Sequence, residues 1–272
     1  MQRCIFFISD RTGITAETLG RSLLTQFSDI EFHTITLPFV DDIDKTQQAV
    51  KQINRRCILD GVPALIFSTQ IDPQCRKLLA QSQGELFDFF DTFILKMERL
   101  LGIESSHTIG LTHGGLSSDN NYLDRINSID FVLNNDDGIS TKNYDNADVI
   151  LLGVSRSGKT PTCLMLALQY GIRAANYPLI EQDLHSEKLP SALKKHQHKL
   201  FGLTTNPMLL HRIRTQRKSN SRYATLSQCK KELRYAQDMF SVNHISFINT
   251  SQISIEEIAS SIVSQANLKR RH

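Results

Sequence analysis

The eight residues Gly153, Val154, Ser155, Arg156, Ser157, Gly158, Lys159 and Thr160 fill every position of the pattern G-x-x-x-x-G-K-[ST]. No other stretch constrains the fold as strongly. The run Asp148 to Leu152 reads as a strand leading into the loop, and Lys159 to about Gln169 as a helix leaving it. Consecutive backbone N–H groups at a helix N-terminus can wrap a phosphate, so Ser155 to Thr160 are expected to cradle a diphosphate. Lys159 would neutralise the transferring phosphate, and the Thr160 hydroxyl would hold Mg²⁺. The plainer alternative is a glycine turn with an exposed lysine.

The rest of the chain has the rhythm of βα units on parallel sheets. Strands are expected at Cys4 to Ile8, Phe32 to Leu37, Ala64 to Phe67, Ala174 to Tyr177, Lys199 to Leu203 and Ile245 to Ile248. Helices are expected with Ala16, Leu19, Leu23 and Phe27 on one face, then with Ile43, Val50, Ile53 and Cys57. Phe87 to Leu101 reads as helix, as does a segment with Tyr122, Ile126, Ile129 and Leu133 on one face. Asp72-Pro73 and Asn206-Pro207 look like helix starts, and Ser254 with Glu257 like a capping box. The fold class is α/β: an N-terminal doubly wound parallel-sheet domain over 1–105, a linker over 106–121, and a P-loop kinase-like α/β domain over 122–272.

No apolar run downstream of the loop ends in the acidic residue that usually completes such a metal site. Asp136 and Asp137, just upstream of the loop's strand, can supply a carboxylate for Mg²⁺ and a proton acceptor. They can equally be the polar end of a helix, closed by Gly138. From Asn206 to Tyr235 there are eight Lys or Arg against one acid, Glu232, a local balance of +7 in a chain whose net charge is +3. This stretch is a solvated face, a phosphate clamp or a docking face for an acidic partner. Nucleic acid is disfavoured, because Tyr223 and Tyr235 are its only aromatics. Ser9 to Thr15, between the first strand and helix, is either capping by Thr12 and Thr15 or a second anion site. His107 and His113 fall in the linker and read as surface residues.

Five scattered cysteines without a Cys-x-x-Cys pair read as reduced core thiols, and no apolar run approaches the ~20 residues of a membrane span. A cytoplasmic homo-oligomer without membrane attachment is expected.

A family resemblance runs nearly end to end. It rests on Ile8-Ser9-Asp10, Ile14-Thr15-Ala16-Glu17, Thr36-Leu37-Pro38-Phe39-Val40 and Asp136-Asp137-Gly138-Ile139-Ser140. It continues through Val149 to Arg156, Gly158 to Thr162, Gly171 to Pro178, Lys199 to Thr204, Asn220 to Ala224 and Ser254 to Ala259. In these the chain resembles the bacterial phosphoenolpyruvate synthase regulatory proteins, related to the pyruvate, phosphate dikinase regulatory proteins. The resemblance implies a serine/threonine kinase that uses ADP as donor to inactivate a dikinase-type target on a threonine. It also implies the reversal, in which inorganic phosphate attacks and pyrophosphate leaves. Phosphoenolpyruvate synthase is the expected target, pyruvate, phosphate dikinase the alternative, and a non-catalytic ADP-sensing adaptor the reading from another class. The family pattern usually carries histidine before Asp-Asp-Gly, where this chain has Asn135. The role of that position is then structural, or Asp136 or Asp137 accepts the proton.

Overall fold

The computed structural model describes residues 2–105, 119–138, 141–184, 188–218 and 221–271, and the chain divides into two compact units, Met1–Thr112 and His113–His272. In the first unit β1 (Gln2–Ile8), α1 (Ile14–Leu24), β2 (Glu31–Leu37), α2 (Ile43–Asp60), β3 (Leu65–Ser68), α3 (Pro73–Ala80), β4 (Glu85–Asp88) and α4 (Phe89–Leu101) follow in turn. Its sheet is parallel throughout, in the order β2-β1-β3-β4.

The second unit opens with α5 (Asp119–Asn134), which begins inside the stretch read as linker. Residues 106–118 of that linker, with His107 and His113, lie outside the described residues. There follow β5 (Val149–Val154), α6 (Lys159–Tyr170), β6 (Ala174–Leu179), α7 (Glu181–Leu184), β7 (Leu200–Thr204), α8 (Pro207–Arg217), α9 (Leu226–Val242), β8 (Phe247–Asn249) and α10 (Ile255–Gln265). This sheet is also parallel, in the order β6-β5-β7-β8. The two units thus repeat one topology and the α/β class holds. In each, the loop after the first strand lies at the point where connections diverge to opposite sides, the crevice where such sheets take ligands.

All six residues of β5 are buried, because helices cover both faces of the sheet. Each fully buried Val, Leu or Ile contributes about 1.5–3 kcal/mol relative to exposure, so the loop that follows rises from a firmly packed strand. Capping follows the sequence closely. Asp72, Asn206 and Ser254 each accept hydrogen bonds from first-turn N–H groups, and Glu257 returns the bond to Ser254. All five cysteines are buried and free of disulfides.

Helix faces depart from the sequence reading. In α1 the buried face is Ala16, Gly20 and Leu24, while Leu19, Leu23 and Phe27 are exposed. In α5 Ser128 and Val132 are buried and Ile126 and Leu133 exposed; the side chain of Tyr122 lies outside the described residues. Ser128 donates to the Gly171 carbonyl at 2.9 Å, so a polar residue takes the inner position. Leu168 of α6 is likewise exposed. Where apolar residues cover much of a helix's circumference, periodicity leaves the inward sector open and the neighbouring element selects it.

Residues 87–101 also divide differently, with β4 ending at Asp88. The Asp88 side chain then accepts from the N–H groups of Phe90 and Asp91 to start α4. The N-cap of α1 is Gly13, with no side-chain cap, so neither Thr12 nor Thr15 plays the capping role expected of them.

Candidate active site

The loop between β5 and α6 depends on its two glycines. A Cβ on Gly153 would lie 2.6 Å from the Leu203 carbonyl oxygen, so β5 and β7 approach this closely only with glycine there. Gly158 caps α6 at φ 95°, a left-handed conformation that a side chain disfavours. Arg156 is also left-handed, at φ 74°, a rare state for a non-glycine residue that clusters at functional turns. The Ser157 N–H donates to the Val154 carbonyl at 3.2 Å, and the Thr250 hydroxyl donates to the Ser157 carbonyl at 3.3 Å. The Ser157 hydroxyl is buried without a partner among the described residues.

Lys159 is the first residue of α6 and only 4% exposed, contrary to the reading of an exposed lysine on a simple turn. Its Nζ donates to the Val154 carbonyl at 3.0 Å. Burial pushes its pKa down to about 8, because the ammonium has lost its water; the carboxylates of Asp137 and Asp136 oppose that shift.

Asp136 and Asp137 follow the end of α5 and meet the loop from the β6 side of the sheet. Thr160 Oγ1 donates to Asp136 Oδ1 at 2.8 Å, and the side-chain amide of Asn176 donates to the same oxygen. Asn176 is fully buried on β6, and its side-chain oxygen Oδ1 accepts from the Asp137 N–H at 3.0 Å. One asparagine therefore fixes both aspartates. Asp137 sits at φ 50°, which turns the chain so that its side chain is not held where that of Asp136 is. Asp137, Ser155, Arg156, Gly158, Lys159 and Thr160 line a cavity of about 270 Å³. A second hollow of about 290 Å³ shares Ser155 with it and is bordered by Leu179, Ile180, Arg222 and Tyr223.

The paired hydroxyl and carboxylate of Thr160 and Asp136 suit Mg²⁺, which takes one or two protein oxygens and completes its shell with phosphate and water. Asn135 is buried, donates from Nδ2 to the Phe131 carbonyl at 2.7 Å, and through its own carbonyl accepts from the Asn176 N–H at 3.3 Å. Its bonds are those of a residue that ends a helix and holds β6.

The basic stretch divides in two. Seven of its eight cations, among them Arg217 and Arg222, are exposed, whereas Arg214 is completely buried. The Arg214 guanidinium donates to the Ser155 carbonyl at 3.0 Å and to the Tyr223 carbonyl at 3.0 Å, and pairs with Glu232 at 2.7 Å. It also stacks 4.1 Å from the centre of the Tyr223 ring, whose hydroxyl lies 2.8 Å from that of Ser155. Arg214 thus holds the loop between β5 and α6 from behind. Neither Asn176 nor Arg214 carried a site role in the sequence reading. The signal for Asn176 is a polar residue inside the apolar strand Ala174 to Leu179; for Arg214 there is none, because its spacing matches that of its exposed neighbours.

A buried lysine at a helix N-terminus, beside a hydroxyl–carboxylate pair and a small cavity, belongs to a protein that handles phosphate groups. The chain belongs to the kinase/pyrophosphorylase family, whose sequence profile matches residues 5–263. A phosphotransferase-type activity accompanies that membership. Among its relatives are proteins named "Putative phosphoenolpyruvate synthase regulatory protein" from three bacteria. Those from Pseudomonas aeruginosa (strain LESB58) and Stutzerimonas stutzeri (strain A1501) are 49% identical over 271 residues, all of this chain and 98% and 99% of theirs. That from Pseudomonas fluorescens (strain Pf0-1) is 48% identical over the same length and 99% of its own. No helix among the described residues is long and apolar enough to cross a membrane.

Proposed function

We propose that this chain transfers the β-phosphate of ADP to a threonine of phosphoenolpyruvate synthase and removes it again with inorganic phosphate. The observation that carries this reading is the cluster of Lys159, Thr160 and Asp137 around one cavity, with Asp136 bonded to the Thr160 hydroxyl. The loop N–H groups and Lys159 bind the diphosphate, while the hollow beside Tyr223 receives the nucleoside. Thr160 and Asp136 would hold Mg²⁺, which would supply charge neutralisation at the phosphates. Asp137 accepts the proton of the threonine hydroxyl as its oxygen attacks the β-phosphorus; the bond to the bridging oxygen breaks and AMP leaves. In the reverse process a phosphate oxygen attacks the phosphothreonine, pyrophosphate leaves, and the threonine oxygen regains its proton.

Incubation of the protein with ADP labelled at its β-phosphate and purified phosphoenolpyruvate synthase tests this directly. Label is expected on a threonine of the synthase, and later addition of unlabelled phosphate is expected to release it as pyrophosphate. ADP binding with no label transferred would instead establish the adaptor reading. Pyruvate, phosphate dikinase offered in parallel separates the two targets.

The aspartates should separate by role. Asp136→Asn keeps an oxygen for Thr160 but loses the charge, so the Mg²⁺ concentration for half-maximal rate should rise. Asp137→Asn should depress turnover with Mg²⁺ dependence unchanged. Identical Mg²⁺ profiles for both variants would refute this division.

A further inference from the structure

A larger cavity, of about 870 Å³, lies in the second unit at the end of the sheet opposite the phosphate loop. Val149, the first residue of β5, lines it, whereas Val154, the last, opens the loop. Five residues at ~3.3 Å each separate the two along the strand, roughly 17 Å. The cavity is therefore distinct from the candidate active site.

Its walls are strongly basic. His198, Lys199, His244, Lys269, Arg270 and Arg271 line it, and Asp148 is the acid among its lining residues. Asp148 is occupied: one of its carboxylate oxygens accepts from Arg271 at 2.7 Å, and the other accepts from the Arg173 N–H at 2.8 Å. Lys199 is positioned by donating to the carbonyls of Asp145 and Ala147 at 2.7 Å each, while the Asp145 carboxylate, which also feels its charge, pairs directly with Lys195 at 3.0 Å. Lys269 and His198 have no carboxylate partner among the described residues.

The wall formed by the last residues is fixed in place. The Arg271 N–H donates to the Tyr170 carbonyl at 3.0 Å, its guanidinium reaches the Gly171 carbonyl, and the Arg270 guanidinium lies 5.0 Å from the centre of the Tyr170 ring. A concave site of this volume, with several fixed cations and one already neutralised acid, concentrates counter-charge. Lysine binds phosphate as a point charge, and arginine binds it through its planar fork.

We infer that this cavity is a second anion site, which takes a small phosphorylated molecule carrying two or more negative charges. It holds its ligand independently of the phosphate loop, so its occupant need not be a substrate of phosphoryl transfer. Neither the reaction nor its target is needed for this binding.

Inorganic pyrophosphate is a suitable probe, measured by calorimetry on the full chain. In Lys159→Met, where the loop's cation is gone, saturable binding is expected to persist and to weaken as salt rises. Adding His198→Glu and Lys269→Glu to that variant should weaken the remaining binding by about tenfold or more, since the cavity loses one cation and gains two anions. The same two changes in the otherwise natural chain should leave phosphoryl transfer intact, which separates failure of this site from failure of the active-site reading. Circular dichroism checks that both exposed substitutions leave the fold unaltered. Absence of pyrophosphate binding in Lys159→Met would overturn the inference, as would residual binding unaffected by the charge reversals. A change in sedimentation on charge reversal, with no anion bound, would also overturn it and make the cavity a contact between copies.

Discussion

Lys159→Met is expected to reduce phosphoryl transfer by about 10²–10³-fold while making the protein more stable. The loss follows from removing a preorganised cation at the transferring phosphate, for which comparable groups contribute roughly 3–4 kcal/mol of barrier. The gain follows from burial. With its pKa at about 8 against an ordinary 10.5, the folded protein holds the ammonium at a cost on the order of 3 kcal/mol. Methionine removes that cost, offset by about 1.5–3 kcal/mol for the lost charged hydrogen bond to the Val154 carbonyl, so the net gain is at most about 1.5 kcal/mol. That carbonyl still accepts from the Ser157 N–H, so it is not orphaned.

The direction with pH follows from the depressed pKa. Below about pH 8 Lys159 is charged in both folded and unfolded chains, so the burial cost is present in full. Between about 8 and 10.5 the folded protein sheds the proton that the unfolded chain keeps, and stability recovers. The stabilising effect of the substitution should therefore be greatest near pH 7 and vanish above about pH 10.5. ADP binding by the natural protein should weaken above pH 8, where binding must first take up a proton, and this pH dependence should be absent from the variant. Thermal melts and ADP titrations at pH 7 and pH 9.5 read all of these effects. A variant less stable than the natural protein at pH 7 would mean that Lys159 is not held at an energetic cost.

Arg214→Ala should be the most destabilising change in the basic stretch. It leaves Glu232 mostly buried without its partner, and leaves the carbonyls of Ser155 and Tyr223 without their donor. Breaking a buried pair from one side costs about 3–5 kcal/mol, a fall in Tm on the order of 10 °C for a unit of this size. Arg217→Ala, on the same helix but exposed, should lie within about 0.5 kcal/mol of the natural protein. Combining Arg214→Ala with Glu232→Ala should recover part of the loss, because no buried charge then remains unpaired. ADP binding at a temperature where Arg214→Ala remains folded should still be weaker, since the loop backbone at Ser155 has lost its anchor. Equal melting temperatures for Arg214→Ala and Arg217→Ala would return the whole stretch to the solvated-face reading.

The sequence by itself determined the α/β class, most strand positions, the helix starts at Asp72, Asn206 and Ser254, and the glycine loop between strand and helix at Gly153 to Thr160. Each of these rests on short-range chemistry: a cap lies within three residues of its donors, and the loop's glycines act on their own backbone. The inward faces of α1 and α5, the burial of Arg214 and the meeting of Asp136 with Thr160 were decided only by the tertiary structure. Arg214 and Arg217 differ by three positions on one helix, and only the packing of α9 and Tyr223 against it makes one a core residue and leaves the other in water. Asp136 reaches Thr160 because Asn176, forty residues further along, arrives on the neighbouring strand and binds it. The end of β7, where the missing downstream carboxylate would be sought, carries Thr204 instead, bonded to Gln237 and Thr250. Such pairings depend on strand order and on long-range contact, which local periodicity does not encode.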